Sequence, residues 1–226
     1  MKTRIILTTS LLALTGIAYT PTTQAAPATE PTAAAAASDP QQDAEYTKAI
    51  EKRTADILAL LDINDPAKTA RVHDVIMSQY RALRDWHDAN DARLKKATKG
   101  TTDQDKAQVQ EITASRKALH DAYLAKLSAD LTPEQVDKVK DKMTYGKVQF
   151  TYNGYLQAVP NMTDEEKAKV LELLKEAREE AMDGGSAEEK SAVFNKYKGK
   201  INNYLAQHGK GGKPKKTAAT EPAAAG

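Results

Sequence analysis

Three of the four histidines in this 226-residue chain are followed directly by aspartate: His73-Asp74, His87-Asp88 and His120-Asp121. Histidine beside a carboxylate is the raw material of metal-dependent hydrolases. His73, Tyr80, His87 and Leu94 recur every seven residues, which puts both histidines on one helix face. Adjacent side chains on a helix diverge by about 100°, however, so a His-Asp dipeptide chelates only if other elements complete the site. There is no H-E-x-x-H motif or other histidine pair four apart. No spacing assembles three ligands by itself, so no resident metal and no cofactor is expected. The simpler reading has each histidine hydrogen-bonded at a helix interface and each aspartate in solvent. The chain has no cysteine and no G-x-S-x-G, G-x-x-x-x-G-K-[ST] or G-x-G-x-x-G string. Carboxylates are abundant, but any charged helical protein offers a glycosidase-like pair, so no catalytic residue is designated.

Tyrosine usage points elsewhere. Nine tyrosines stand against two phenylalanines and one tryptophan, and a ring that carries a hydroxyl suits a half-wet surface. Tyr145, Tyr152 and Tyr155 lie close together in Met143 to Pro160, a stretch that also holds two glycines and a brief alternation at Val148, Phe150 and Tyr152. This segment reads as the one irregular part of the domain, either extended or a broken helix. Asn153, Arg178, Lys198, Asn202 and Asn203 supply hydrogen-bonding groups from nearby in the pattern. A sugar wants this mixture, with its C–H face on an aromatic plane and its hydroxyls on amides or a guanidinium. Tyr197 and Tyr204, at helical spacing with Ile201, read instead as core residues. For Tyr145, Tyr152 and Tyr155 the core and ligand readings both stand.

The elements that position these residues are helical almost throughout. Tyr46, Ile50, Ile57, Leu58 and Leu61 form one stripe. Asp65 caps a long helix with Pro66 at its first position, running to about Ala97 along Val72, Ile76, Leu83 and Trp86. After a break at Lys99 to Thr102, a third helix carries Val109, Ile112, Leu119, Tyr123 and Leu127. Thr132 to Gln135, Thr163 to Glu166 and Ser186 to Glu189 each read as a capping box, and Leu131 with Val136 as a hydrophobic staple. Gly184-Gly185 and Gly209 read as helix ends. The expected fold is all-α: an antiparallel bundle of about six helices with an irregular segment near residues 143–160.

The ends differ in composition. Lys2 and Arg4, the apolar run from Ile5 to Tyr19 and the small residues around Ala25 read as a cleavable secretory signal over residues 1–25. Residues 26–42 read as a disordered Ala/Pro/Thr linker, 43–209 as the helical domain and 210–226 as a disordered basic tail. Of 33 basic residues the signal removes Lys2 and Arg4, leaving 31 against 31 acids. A balanced body of dispersed charge argues against nucleic-acid binding, and no later segment is apolar enough for stable membrane insertion. The lack of cysteine excludes a lipid-modified cysteine and any disulfide framework.

Several irregular strings, in order, carry a resemblance. Val139 to Gly146, Thr151 to Tyr155, Glu176 to Glu179 with Ala181-Met182-Asp183, and Lys196 to Gly199 with Ile201 to Leu205 resemble the bacterial family filed as domain of unknown function 3826. That resemblance implies an exported protein of polysaccharide-degrading bacteria with sugar as the suggested ligand, and it brings no catalytic residues. Leu131-Thr132-Pro133-Glu134-Gln135 is also similar to the Leu-Thr-x-x-Gln mark of periplasmic helical chaperones, though it is equally what a helix start looks like. The function expected is therefore an exported, non-enzymatic binding or accessory protein for carbohydrate, periplasmic or secreted. The alternatives are a periplasmic chaperone and a hydrolase using the His-Asp pairs. Oligomeric state is not legible.

Overall fold

Seven helices follow one another in the computed structural model, which describes residues 39–210. They are α1 (Pro40–Leu58), α2 (Pro66–Lys99), α3 (Asp103–Asp130), α4 (Pro133–Met143), α5 (Lys147–Ala158), α6 (Asp164–Met182) and α7 (Ala187–Gln207). No strand occurs among the described residues. The signal peptide, nearly all of the linker and most of the tail read from the sequence lie outside the described residues.

Local chemistry explains the helix starts. Asp65 accepts from the amides of Ala67 and Lys68, with Pro66 in the first turn of α2. Thr132 with Gln135 and Thr163 with Glu166 form complete capping boxes, each cap being worth about 1 kcal/mol. Thr102, in the break after α2, makes a further box with Asp105. At Ser186 only half of the expected box forms. Its hydroxyl takes the Glu189 amide at 3.1 Å, but the Glu189 carboxylate turns instead to the Gly185 amide at 2.8 Å.

The helices build two cores. The first unites α1 to α4 around Ile50, Ile57, Ile76, Leu127 and Val139, and it draws in Met182 from the end of α6. The second unites α5 to α7 around Tyr155, Val170, Leu174, Phe194 and Ile201. Polar links stitch the two together. Arg178 on α6 reaches Asp137 and Asp141 on α4, each at 2.7 Å. Lys140 on α4 holds Glu179 on α6 at 2.8 Å.

Three sequence expectations need adjusting. The segment read as irregular is a three-residue turn followed by a regular helix, α5, so the described residues hold seven helices rather than six. Val148, Thr151 and Tyr155 are buried at three- and four-residue spacing, which overrides the brief two-residue alternation. The domain begins earlier than residue 43, because Asp39 caps α1 with Pro40 in its first turn. Lys210, assigned to the tail, is tied down by Glu166 at 2.8 Å and by the Asn161 carbonyl.

Candidate functional site

A cleft of about 750 Å³ opens where α1, α2, the α4–α5 turn and the α6–α7 turn meet. Tyr46, Tyr80 and Tyr145 supply its aromatic wall, with Arg53, His87 and Lys190 among the charged and titratable groups that line it. The Tyr46 hydroxyl donates to the Tyr80 carbonyl at 2.7 Å, and Arg84 lies over the Tyr46 ring at 4.4 Å. That ring is thereby held at the rim of the cleft.

Tyr145 is positioned by the end of α4. It takes φ +59° and Gly146 takes φ +65°, two successive left-handed residues. The Gly146 amide bonds back to Asp141 O at 2.8 Å, closing the turn. A side chain in this region costs about 1–2 kcal/mol, so the fold accepts strain to keep an aromatic ring there.

Two cations line the cleft without an ion pair among the described residues. Lys190 is 6% exposed, and its ammonium donates to the Met143 carbonyl at 3.0 Å, one of the open carbonyls at the end of α4. Burial, and then the positive charge of Arg53, bring its pKa down to about 8. Arg53 has no ion pair among the described residues, and its buried Nε makes no hydrogen bond. A guanidinium with no direct ion pair beside a buried ammonium gives the cleft an anion-receptive spot, although Asp56, Asp88, Asp91 and Glu189 also line it.

The lining also holds His87, 8% exposed. Its Nε2 lies 2.8 Å from the Asp183 carbonyl, and its Nδ1 lies 2.9 Å from Asp91 Oδ1 and 4.0 Å from Glu189 Oε2. The partner of this ring is Asp91, one helical turn away, rather than the adjacent Asp88. A Cβ on Gly185 would come within 3.0 Å of His87 Cγ, so glycine lets the α6–α7 turn close against the imidazole.

Behind that turn, His120 on α3 bonds Asp183 at 3.0 Å through Nδ1 and approaches Glu179 at 3.6 Å through Nε2. The hydrogen bond to Asp183, then the contact with Glu179, raise the histidine to about 9. For Glu179 burial acts upwards, but His120 and Lys140 outweigh it and bring the carboxyl down to about 2. His73 makes a third arrangement, with Asp74 at 3.0 Å on Nδ1 and Glu51 at 2.9 Å on Nε2.

Of the eight residues singled out in the sequence, Tyr145 alone lines the cleft. Tyr152 packs half-buried against the second core, and Asn153 is exposed, accepting from Gln149 at 2.7 Å. Tyr155 is 2% exposed, and its hydroxyl donates to Asn202 Oδ1 at 2.9 Å and the Lys198 carbonyl at 3.2 Å. Burial pushes that hydroxyl up to about 12. Lys198 and Asn202 are half-buried on α7, Asn203 is exposed, and Arg178 is buried in its ion pairs with α4. Sequence reasoning did not single out Arg53, Asp91, Glu189 or Lys190. The local signal available was the four-residue step from His87 to Asp91 on one predicted helix.

These features define an all-α protein with two helical cores and a charged, tyrosine-walled cleft. The chain belongs to the family described as Protein of unknown function (DUF3826), whose model matches residues 47–221. That span contains every cleft residue named above except Tyr46. No curated protein matches the chain.

Proposed function

We propose that this is an exported, non-enzymatic binding protein whose cleft takes a carbohydrate bearing an acidic group. The observation that carries the reading is Arg53, a guanidinium without an ion pair among the described residues, which lines a tyrosine-walled cavity beside buried Lys190. Tyr145 offers an aromatic surface for a sugar ring, and Arg53 offers a planar fork that fits a carboxylate in two-point contact. The charged run at Lys2 and Arg4, the short apolar stretch and the small residues before Ala26 support export. No helix among the described residues is long and apolar enough to cross a membrane. The chaperone alternative requires a contiguous exposed apolar face. The large hydrophobic side chains exposed among the described residues are Leu60 and Phe150.

Binding of the purified protein to paired acidic and neutral oligosaccharides tests this reading. The expected result is retention of acidic members, weakened at least tenfold by Arg53→Ala while the urea midpoint stays within error of wild type. No binding to any glycan, or equal binding by the Arg53→Ala variant, refutes it. N-terminal sequencing of secreted material should begin near Ala26, and an intact Met1 on membrane-bound protein refutes export.

A further inference from the structure

We infer that His87, Asp91 and Glu189 form a binding site for a divalent transition-metal ion on the wall of the cleft. α2 places His87 and Asp91 one turn apart on the same face, and the first turn of α7 brings Glu189 to them. One ligand atom from each lies within 4.8 Å of the other two, with Nδ1 of His87 2.9 Å from Asp91 Oδ1. A metal bound at about 2.0–2.2 Å to nitrogen and oxygen needs these atoms roughly 3–3.5 Å apart. A small movement of the half-exposed Glu189 side chain meets that requirement.

The orientation of the imidazole is the stronger argument. The Asp183 carbonyl can only accept a hydrogen bond, so the proton on that side of His87 sits on Nε2. In the neutral ring Nδ1 then presents its lone pair to two carboxylates. A cation between them satisfies all three, and a backbone carbonyl on the far nitrogen is the usual way a metal-ligating histidine is held. The other two ion-paired histidines are built differently. His73 has Asp74 on Nδ1 and Glu51 on Nε2, and His120 has Asp183 on Nδ1 and Glu179 on Nε2. Each bridges carboxylates from opposite edges of the ring, the work of an imidazolium. Among these three, His87 alone gathers both carboxylates on one nitrogen.

The surroundings hold the ligands in place. Trp86 meets the His87 ring edge-on at 5.0 Å, Gly185 closes against it, and the Gly185 amide fixes a Glu189 oxygen. One imidazole with two carboxylates suits zinc or manganese better than calcium, which prefers a larger all-oxygen shell. All three ligands line the cleft, so the remaining coordination positions face the space where a ligand enters. The site stands on this geometry and does not depend on the carbohydrate reading.

Calorimetric titration of the chelator-treated full chain with Zn²⁺, paired with visible absorption on adding Co²⁺, tests the site with no glycan present. The expectation is one saturable ion per chain. Affinity should fall at least tenfold in both Glu189→Gln and His87→Ala, and should be kept in His73→Ala. Glu189 is exposed, so Glu189→Gln decides the matter should His87→Ala unfold. No saturable binding, equal affinity in Glu189→Gln, or loss in His73→Ala overturns the inference.

Discussion

Tyrosine serves different ends at the cleft and inside the two cores, where Tyr123 of α3 is buried like Tyr155 of α5. Along α1, α2 and the turn after α4, Tyr46, Tyr80 and Tyr145 border a cleft among arginine, lysine and histidine. Within α5 to α7, Tyr155 and Tyr197 lie among Leu174, Phe194 and Ile201, with the Tyr155 hydroxyl bound to α7 groups. The residue type is the same, and the neighbours decide its role. A tyrosine whose hydroxyl finds partners inside a core is a structural residue. One held at φ +59° beside the cleft's cations answers to something outside the core.

The widest separation between the two settings should come from Tyr155→Ala. Removing a ring that is 2% exposed leaves a cavity and unpairs Asn202, which predicts a loss of about 3–4 kcal/mol in urea unfolding. A midpoint close to wild type would return Tyr155 to the surface and erase the distinction. The next effect lies at the seam. Arg178→Ala strips the guanidinium from Asp137 and Asp141 and should cost about 2 kcal/mol. That falls below the range for wholly buried pairs because both carboxylates are about half-exposed. A change under about 0.5 kcal/mol, the level of an ordinary surface substitution, would mean the Arg178 pairs add nothing to the seam.

The seam should also show in the pH dependence of stability. His120 is raised from 6.5 to about 9, so its contribution is complete below pH 6.5 and is lost as pH rises through 9. Glu179 is lowered from 4.5 to about 2, so its contribution is present above pH 4.5 and is lost as pH falls through 2. The stabilisation from this pair should therefore be greatest between about pH 4.5 and 6.5. The His120 share of the alkaline change should be a drop of about 2 kcal/mol, reduced from the full shift because it titrates together with Glu179 and is partly screened. Lys190, lowered to about 8, works the other way as pH rises through 8. Urea midpoints at pH 6 and pH 9.5 for wild type and His120→Asn give the comparison. An equal alkaline drop in the variant would assign it to other groups.

What the sequence revealed follows from how local each feature is. The caps at Asp65, Thr132 and Thr163 are decided within four residues, and they stand where they were read. The core stripes through Ile50, Ile76, Leu127 and Ile201 were legible for the same reason. α5 was not, since glycines and three tyrosines look like breakers when burial is unknown. The cleft joins residues from Tyr46 to Lys190, contributed by elements far apart in the chain. Gly184 and Gly185 read only as a helix end, although Gly185 also makes room for the His87 ring. Arg178 read as a ligand donor because its acids, Asp137 and Asp141, sit on a helix whose packing partner no local pattern discloses.

The smallest effect bears most directly on Tyr145. Alanine normally stabilises a position relative to glycine, because glycine surrenders more backbone freedom on folding. At Tyr145 the order should invert. The backbone there holds φ +59°, and the following Gly146 holds φ +65°, so the turn needs two left-handed residues in succession. Alanine keeps the clash between its Cβ and the carbonyl oxygen, which costs about 1–2 kcal/mol, whereas glycine has none. Both substitutions remove the same ring and its contact with Lys190 at 5.9 Å. Their difference therefore isolates the strain. Tyr145→Gly should be more stable than Tyr145→Ala by about 0.5–1 kcal/mol in paired urea titrations, and both should lose glycan binding to a similar extent. If alanine proves the more stable, the turn is relaxed and the ring is not held in the cleft against a cost. If binding survives in both, Tyr145 belongs with Tyr155 as a tyrosine kept for packing.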